Sequence, residues 1–379
     1  MRGIPPHKSF FITVVVISLI LAVFLSCSQK KDGDGTIKIG FIGPLTGPAA
    51  SYGIPQKNGA ALAAEEINTA GGLNGGKIEI IYEDSQMDPN KALSAVKKLI
   101  DIDKVSSVIG ETTTAGTLAI ADNANKNKVV LISPSASGAK VTDAGDYVFR
   151  ISPSDTFQAT VAAKLISEIG FKRGAIVFTN DDWGAGIEKA LREDFSKLGG
   201  TIVASEGCTP GTQDFRTQLT KIKALKPDFI YIPLYPAESA IFLRQVKELN
   251  VPGQIIGADN FSEKAILKTA GKAAEGVIFT MPRSPSSKAY EEFAKKYKAK
   301  FNEDASYSAA AAYDCVSILF QVMKKVGTLG ENIKNALYSI QDFAGISGKI
   351  GFDKNGDVNT KEFSVVQIQK GDYIPYKKP

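Results

Sequence analysis

The sequence predicts an α/β protein built as two doubly wound lobes. Three observations carry that reading. From Ile37 to Tyr147, short apolar strands alternate with helical segments, the pattern of a parallel sheet with helices on its faces. The alternation restarts at Gly174 with five further strands. Finally, a chain of 379 residues, less an amino-terminal leader, is large for one core, so two domains are expected.

Taken in order, residues 1–26 read as a secretory signal. Arg2 and Lys8 precede an apolar run from Phe10 to Leu25, and Ser26 and Cys27 follow. That is a charged region, an apolar region and a small-residue end. The run is short for a membrane-spanning helix, which needs roughly twenty residues. Its Phe-Leu-Ser-Cys end resembles a bacterial lipobox, with Phe24 where Leu is preferred. The resemblance implies that Cys27 is lipidated and anchors the chain outside the cytoplasm. Residues 27–35 are polar and contain Gly, as a tether should. Removing 1–26 takes away Arg2 and Lys8 and no acid, so the formal charge of +5 becomes 5 − 2 = +3. That charge is mild and dispersed, whereas nucleic-acid binding needs a concentrated basic patch.

The first lobe is expected to contain IKIGFIG, the helix GAALAAEEINTA, KIEIIYED, the helix ALSAVKKLIDI, and the stretch Ser106–Ser137. In GAALAAEEINTAGG, Ala60, Ala63, Ala64 and Ile67 fall at helical spacing, and Gly71–Gly72 ends the helix. The second lobe is expected to contain GAIVFTND, GTIVASEG, DFIYIPLY, QIIGADN and GVIFTMP as strands with helices between. Two later helices, Ala289–Phe301 and Ala309–Val326, and the hairpin-like GKIGFDKNGDVN complete the pattern.

Ser106–Ser137 is the stretch around which a site is expected. The apolar runs Val108–Ile109 and Val129–Ile132 each lead into hydroxyls: Thr112, Thr113 and Thr114 after the first, Ser133, Ser135 and Ser137 after the second. A helical segment starts directly after the threonines. In an open α/β sheet, ligands bind outside the carboxyl ends of strands. A helix start adds unpaired N–H groups and the positive end of its dipole, which suit a carboxylate. Further strand ends carry Tyr52, Trp183, Tyr235 and Asp259. Hydroxyls for a carboxylate, an acid for an ammonium and aromatic walls together fit an α-amino acid.

Enzyme chemistry finds little support. The only histidine is His7, inside the signal, which leaves no imidazole for a triad or a common metal site. Cys208 and Cys315 form no ligand cluster and are expected as separate thiols. GGLNGGK imitates a phosphate loop, but Ile78 replaces its Ser or Thr, and it leaves a helix rather than entering one. Asp353, Asn355 and Asp357 imitate a calcium loop that lacks its Gly, with Val358 there, and its final Glu, with Ser364 there. No Gly-x-Ser-x-Gly elbow is present. Neither a cofactor nor a metal is expected.

IGFIGPLTGPAASYG, AGGLNGGKIEIIYEDSQMDP, VIGETTTAGT, ISPSAS, NDDWGAG, GTQDF and GFDKNGDV, in this order and spacing, resemble the type I periplasmic binding proteins of branched-chain amino acid ABC transporters. The resemblance runs from about Thr36 to Tyr373. It implies two Rossmann-like lobes joined by a three-segment hinge, a monomer that closes on its ligand and docks on a permease. Residues 36–153 and 282–357 are expected in one lobe, and 154–281 and 358–379 in the other. It also implies that Thr114 binds the ligand carboxylate with Thr113 beside it. The Ser135 carbonyl accepts from the ammonium, Ser137 supplies a second hydroxyl, and Asp259 pairs with the ammonium. Tyr52, Trp183 and Tyr235 line the cleft. The leucine-binding members carry Glu at the Asp259 position and usually Tyr at the Trp183 position, so side-chain preference stays open among amino acids, amides, urea and aromatic acids. Ser85 and Thr113 stand where the family has a small disulfide. A receptor module for a sensor is the alternative use of the same fold, and an extracytoplasmic enzyme a more distant one.

Overall fold

The computed structural model describes residues 35–47, 49–282, 287–359 and 362–377, so the signal segment, Cys27 and most of the tether lie outside the described residues. In the first lobe, β1 (Ile37–Gly43), α1 (Ala50–Thr69), β2 (Ile78–Asp84), α2 (Pro89–Asp101), β3 (Ser107–Ile109), α3 (Thr114–Asn127), β4 (Val130–Ser133) and β5 (Val148–Arg150) follow one another. The strands lie in the order β2-β1-β3-β4-β5 and all pair in parallel. β3 and β4 are buried at every residue because helices cover both faces, the usual condition of a parallel sheet.

The second lobe starts with α4 (Asp155–Ile169). It continues through β6 (Arg173–Thr179), α5 (Asp182–Lys197), β7 (Thr201–Cys208), α6 (Arg216–Leu225), β8 (Phe229–Ile232), α7 (Pro236–Glu248), β9 (Gln254–Gly257), α8 (Ala265–Ala270) and β10 (Ile278–Pro282). The chain then forms α9 (Lys288–Phe301), α10 (Tyr307–Val326), α11 (Gly330–Tyr338) and a small hairpin, β11 (Phe343–Ala344) with β12 (Lys349–Ile350). It ends in β13 (Phe363–Gln369) and β14 (Asp372–Pro375). The second sheet runs β14-β13-β10-β9-β8-β6-β7. Its β6–β10 strands are parallel, whereas β13 and β14 are antiparallel additions at one edge. Lys370 and Gly371, both at positive φ, make the tight turn that such a hairpin requires.

The two later helices return to the first lobe. α10 crosses α1 with Ala309, Ala310, Ala311 and Ala312 fully buried. Gly59 permits the approach: a β-carbon there would fall 2.0 Å from the Ala309 carbonyl oxygen. The chain thus passes between lobes after β5, after β10 and before β13. Cys315 lies in the first lobe's core and Cys208 in the second's, both buried and free. In GGLNGGK, Leu73 and Gly76 exchange main-chain hydrogen bonds around Asn74-Gly75, a turn leaving α1.

Candidate functional site

Strand order places the site. In the first sheet the order reverses between β1 and β3, and in the second between β6 and β8. Crevices open at the carboxyl ends of strands at such switch points. Tyr52 follows β1 and the threonines follow β3; Trp183 follows β6 and Tyr235 follows β8. The two crevices face each other across one cavity, lined by Tyr52, Thr112, Thr113, Thr114, Ser135, Ser137, Trp183, Tyr235 and Asp259. All eight residues expected from the sequence reach the cavity, together with Thr112. Tyr52 does so from the first turn of α1 rather than from a loop, and Trp183 from the first turn of α5.

At the hydroxyl end, Thr113 caps α3: its Oγ1 accepts from the Gly116 N–H at 3.1 Å. The same hydroxyl donates to Glu111 Oε2 at 2.6 Å, so it is fully committed within the protein. The Glu111 carboxylate also accepts from the Ser85 hydroxyl at 2.6 Å. One buried acid therefore ties together the two positions that the family resemblance marks for a disulfide. Burial pushes the Glu111 carboxyl upward, against the hydrogen bonds of Ser85 and Thr113. Thr114 differs from Thr113. Its Oγ1 accepts from the Gly138 N–H at 3.1 Å, which leaves the hydroxyl proton to donate. It is also the first residue of α3, where N–H groups lack intrahelical partners.

Ser135 is held in a ring of hydrogen bonds. Its hydroxyl donates to the Thr112 carbonyl at 2.7 Å and accepts from Gln56 Nε2 at 2.9 Å. Gln56 Oε1 accepts from the Thr112 hydroxyl at 2.8 Å. The Ser135 hydroxyl is thereby used, and its main-chain carbonyl is the group left to offer.

Arg150, which the sequence reading missed, fixes the Ser137–Gly138 turn. Its guanidinium is fully buried. Nη1 donates to the Ser137 and Gly138 carbonyls at 2.9 Å each. Nε and Nη2 hold Asp357 in a fork at 2.6 and 2.7 Å, the planar pairing for which Arg is suited. Asp357 belongs to the stretch that imitates a calcium loop, and its carboxylate is engaged by this arginine. A lone Arg on a short strand carries no motif, so only the fold brings the two together.

The acid end is dominated by burial. Asp259 starts a 3₁₀ turn, Asp259–Ser262, after β9. Burial pushes its carboxyl up to about 6, against hydrogen bonds from Gln158 and the main chain. Asp155, the first residue of α4, is a second buried acid near Asp259, behind the residues that line the cavity, and it too was missed from sequence. Burial first, and then the charge of Asp259, hold it well above the usual carboxylate range.

Between these ends lies an apolar cluster drawn from both lobes: Ala49, Tyr52 and Met87 from one, Trp183 and Tyr235 from the other. The Tyr52 and Tyr235 rings meet edge to face at 6.5 Å, and Trp183 lies 5.1 Å from Tyr235. The Tyr235 hydroxyl donates to Asp181 Oδ2 at 2.8 Å, while Asp181 Oδ1 caps α5 through Gly184. The ring is therefore locked against the wall. Chemically, the cavity offers a hydrogen-bond donor at a helix start, an aromatic wall and a buried acid.

Known proteins resemble this chain over most of its length. Residues 36–372 match the family described as Periplasmic binding protein. The chain is 31% identical over 360 residues to the leucine-, isoleucine-, valine-, threonine-, and alanine-binding protein of Pseudomonas aeruginosa, which covers 93% of this chain and 94% of that one. It is 32% identical over 370 residues to the Leu/Ile/Val-binding protein BraC3 of Rhizobium johnstonii, covering 96% and 99%. Among solved structures it resembles LivJ, the branched-chain amino acid transporter substrate binding protein of Streptococcus pneumoniae, in complex with isoleucine. That match has a TM-score of 0.84 at 33% identity and covers 89% of this chain and 97% of that one. The switch-point cavity between two wound lobes and these matches over most of the chain together show that it belongs to the type I periplasmic binding protein family, in its branched-chain amino acid group.

Proposed function

We propose that this chain captures an α-amino acid with an apolar side chain between its lobes and delivers it to the permease of an ABC transporter, held outside the cytoplasm by a lipid on Cys27. In this reading Thr114, with the first turn of α3 and Ser137, holds the ligand carboxylate. Asp259 and the Ser135 carbonyl hold the ammonium. Tyr52, Trp183 and Tyr235 contact the side chain, and Thr113 positions the helix start. Residues 36–153 with 282–357, and 154–281 with 358–379, move as the two halves of the trap, hinged at the three crossings. We read the chain as a monomeric binder and not an enzyme, since its only histidine is His7. Among the described residues no helix is long and apolar enough to cross a membrane.

The observation that carries the reading is the make-up of the cavity: the Thr114 hydroxyl at a helix start from one lobe and the buried acid Asp259 from the other. It also discriminates between ligand classes. Asp259 lines the cavity and Asp155 is near enough to feel its charge, both with carboxyls pushed up by burial. The charge of Arg150 is matched by Asp357. A bare aromatic acid would bring one more negative charge into this field, whereas an amino acid carries its own cation. A thermal-shift screen over the twenty amino acids, amides and aromatic acids tests the proposal. A ligand at a hundredfold excess over Kd stabilises the folded state by about 2.7 kcal/mol. Leucine, isoleucine or valine should lead the ranking. A ranking led by acids without an ammonium would overturn the proposal.

A further inference from the structure

One buried contact between the lobes involves none of the residues that line the cavity. Glu263 follows the Asp259–Ser262 turn in the second lobe. Ser306 and Ser308 stand at the start of α10, which packs on α1 in the first. Glu263 Oε1 accepts from the Ser308 hydroxyl at 2.7 Å. The Ser306 hydroxyl lies 2.9 Å from that of Ser308 and caps α10, accepting from the Ala309 N–H at 3.3 Å. A carboxylate of one lobe thus meets the positive end of a helix of the other. Glu263 and Ser308 are each 3% exposed. Two ion pairs also cross between the lobes, Lys140–Asp182 and Lys264–Asp304, but their lysines are 72% and 48% exposed. Exposed pairs contribute little, so the buried contact is the one that can weigh on closure. Tyr52 and Asp259 line the cavity from opposite lobes, and both interact with the Glu263 charge. Glu263 therefore lies where the two cavity walls meet.

We propose that Glu263 is a pH-sensitive latch of the closed form, its contact with Ser308 made as the lobes come together and broken as they part. The inference rests on the two-lobe capture of an amino acid described above. In the open form Glu263 meets water and titrates like an ordinary Glu, near pH ~4.3. In the closed form burial pushes its carboxyl up to about 7, against the hydrogen bonds of Ser308 and Ser306. The titratable groups facing it are Asp259 from its own turn, Tyr52 of α1, Tyr297 of α9 and Tyr373 of β14. None of them is a cation, and Lys264 pairs with Asp304 instead. The closed form thus keeps a proton that the open form gives up. Glu263 favours closure fully below pH ~4.3, and that contribution is lost as pH rises through the closed-form value. Between the two values capture takes up a proton at Glu263, and affinity falls as pH rises. Asp259, pushed up to about 6, pulls the other way when an ammonium displaces its proton. The Glu263 part therefore shows as a difference between wild type and variant, because Asp259 titrates in both.

The test is calorimetry of L-leucine binding to the whole protein between about pH 5.5 and about pH 8.5. The variants are Glu263→Gln, which keeps an acceptor for Ser308 and cannot ionise, Ser308→Ala, and the two combined. Glu263→Gln should match wild type at the acid end and bind at least about tenfold more tightly than wild type at the alkaline end. At the alkaline end Ser308→Ala should weaken wild type at least about tenfold, the weight of a hydrogen bond to a charged group. It should weaken Glu263→Gln much less. Such non-additivity appears in an affinity only if the contact differs between the free and the bound protein. Additive effects, together with a wild-type to Glu263→Gln ratio that does not move with pH, would show a contact present in both forms and overturn the latch while L-leucine still binds. A loss in Glu263→Gln that is equal at every pH would show a structural residue and overturn it too. If the wild type binds no amino acid at any pH, the latch and the amino-acid reading fall together.

Discussion

Asp357→Ala should cost far more than a surface ion pair would. Arg150 is fully buried and the Asp357 side chain only 14% exposed. The substitution removes both acceptors of the fork and leaves a guanidinium in the core without a counter-charge. Breaking a buried pair in this way costs about 3–5 kcal/mol, against a total stability of roughly 5–15 kcal/mol. Asp357→Asn keeps one acceptor oxygen and should lose less, near the roughly 1.5–3 kcal/mol of a hydrogen bond to a charged group. The guanidinium also holds the Ser137 and Gly138 carbonyls, so ligand affinity should fall with stability. Urea unfolding followed by circular dichroism, with midpoint and slope fitted together, measures the first effect; L-leucine titration measures the second. A loss below about 1 kcal/mol, the scale of an exposed pair, would refute the reasoning that Arg150 is a buried clamp.

Thr114→Val keeps the shape but removes the donor and orphans the Gly138 N–H, so L-leucine should bind about ten- to a hundredfold more weakly by calorimetry. Asp259→Ala should cost the amino acid roughly 2–5 kcal/mol, the scale of unpairing a desolvated charge, with little loss for a ligand without an ammonium. Burial pushes the Glu263 carboxyl up to about 7, opposed by hydrogen bonds from Ser308 and Ser306. The folded state therefore keeps a proton that the unfolded chain gives up near pH ~4.3. Stability should fall as pH rises between those values, and Glu263→Gln should flatten that part of a melting-temperature profile. Cys27→Ala should leave the protein out of the membrane fraction, and recovery there at wild-type level would count against lipid anchoring.

Much of this fold could be read from period and punctuation. Strands such as SSVIG and DFIYIP are short apolar runs bounded by turn residues, and burial on both faces is what produces that pattern. What escaped was set by tertiary context. β5 is three residues long, too short to show a period. β13 joins an edge with only Val366 and Ile368 buried, so its apolar face is faint. Pro55 lies inside α1 and reads as a breaker, which hid the helical origin of Tyr52. At the site, threonines at a strand end before a helix announced the helix start that lines the cavity. Arg150, Asp357 and Asp155 gave no such notice, because a charge is buried by what packs around it and not by its neighbours in sequence.

The central claim is that one cavity reads both charges of an α-amino acid. Its most direct measurement is paired calorimetry of the unaltered protein with L-leucine and 4-methylpentanoate, which share the carboxylate and the branched side chain and differ in the ammonium. With Asp259 and its neighbours set against a bare anion, L-leucine should bind at least about thirtyfold more tightly, the low end of the loss for unpairing a desolvated charge. Equal affinity for the two, or tighter binding of 4-methylpentanoate, would contradict it.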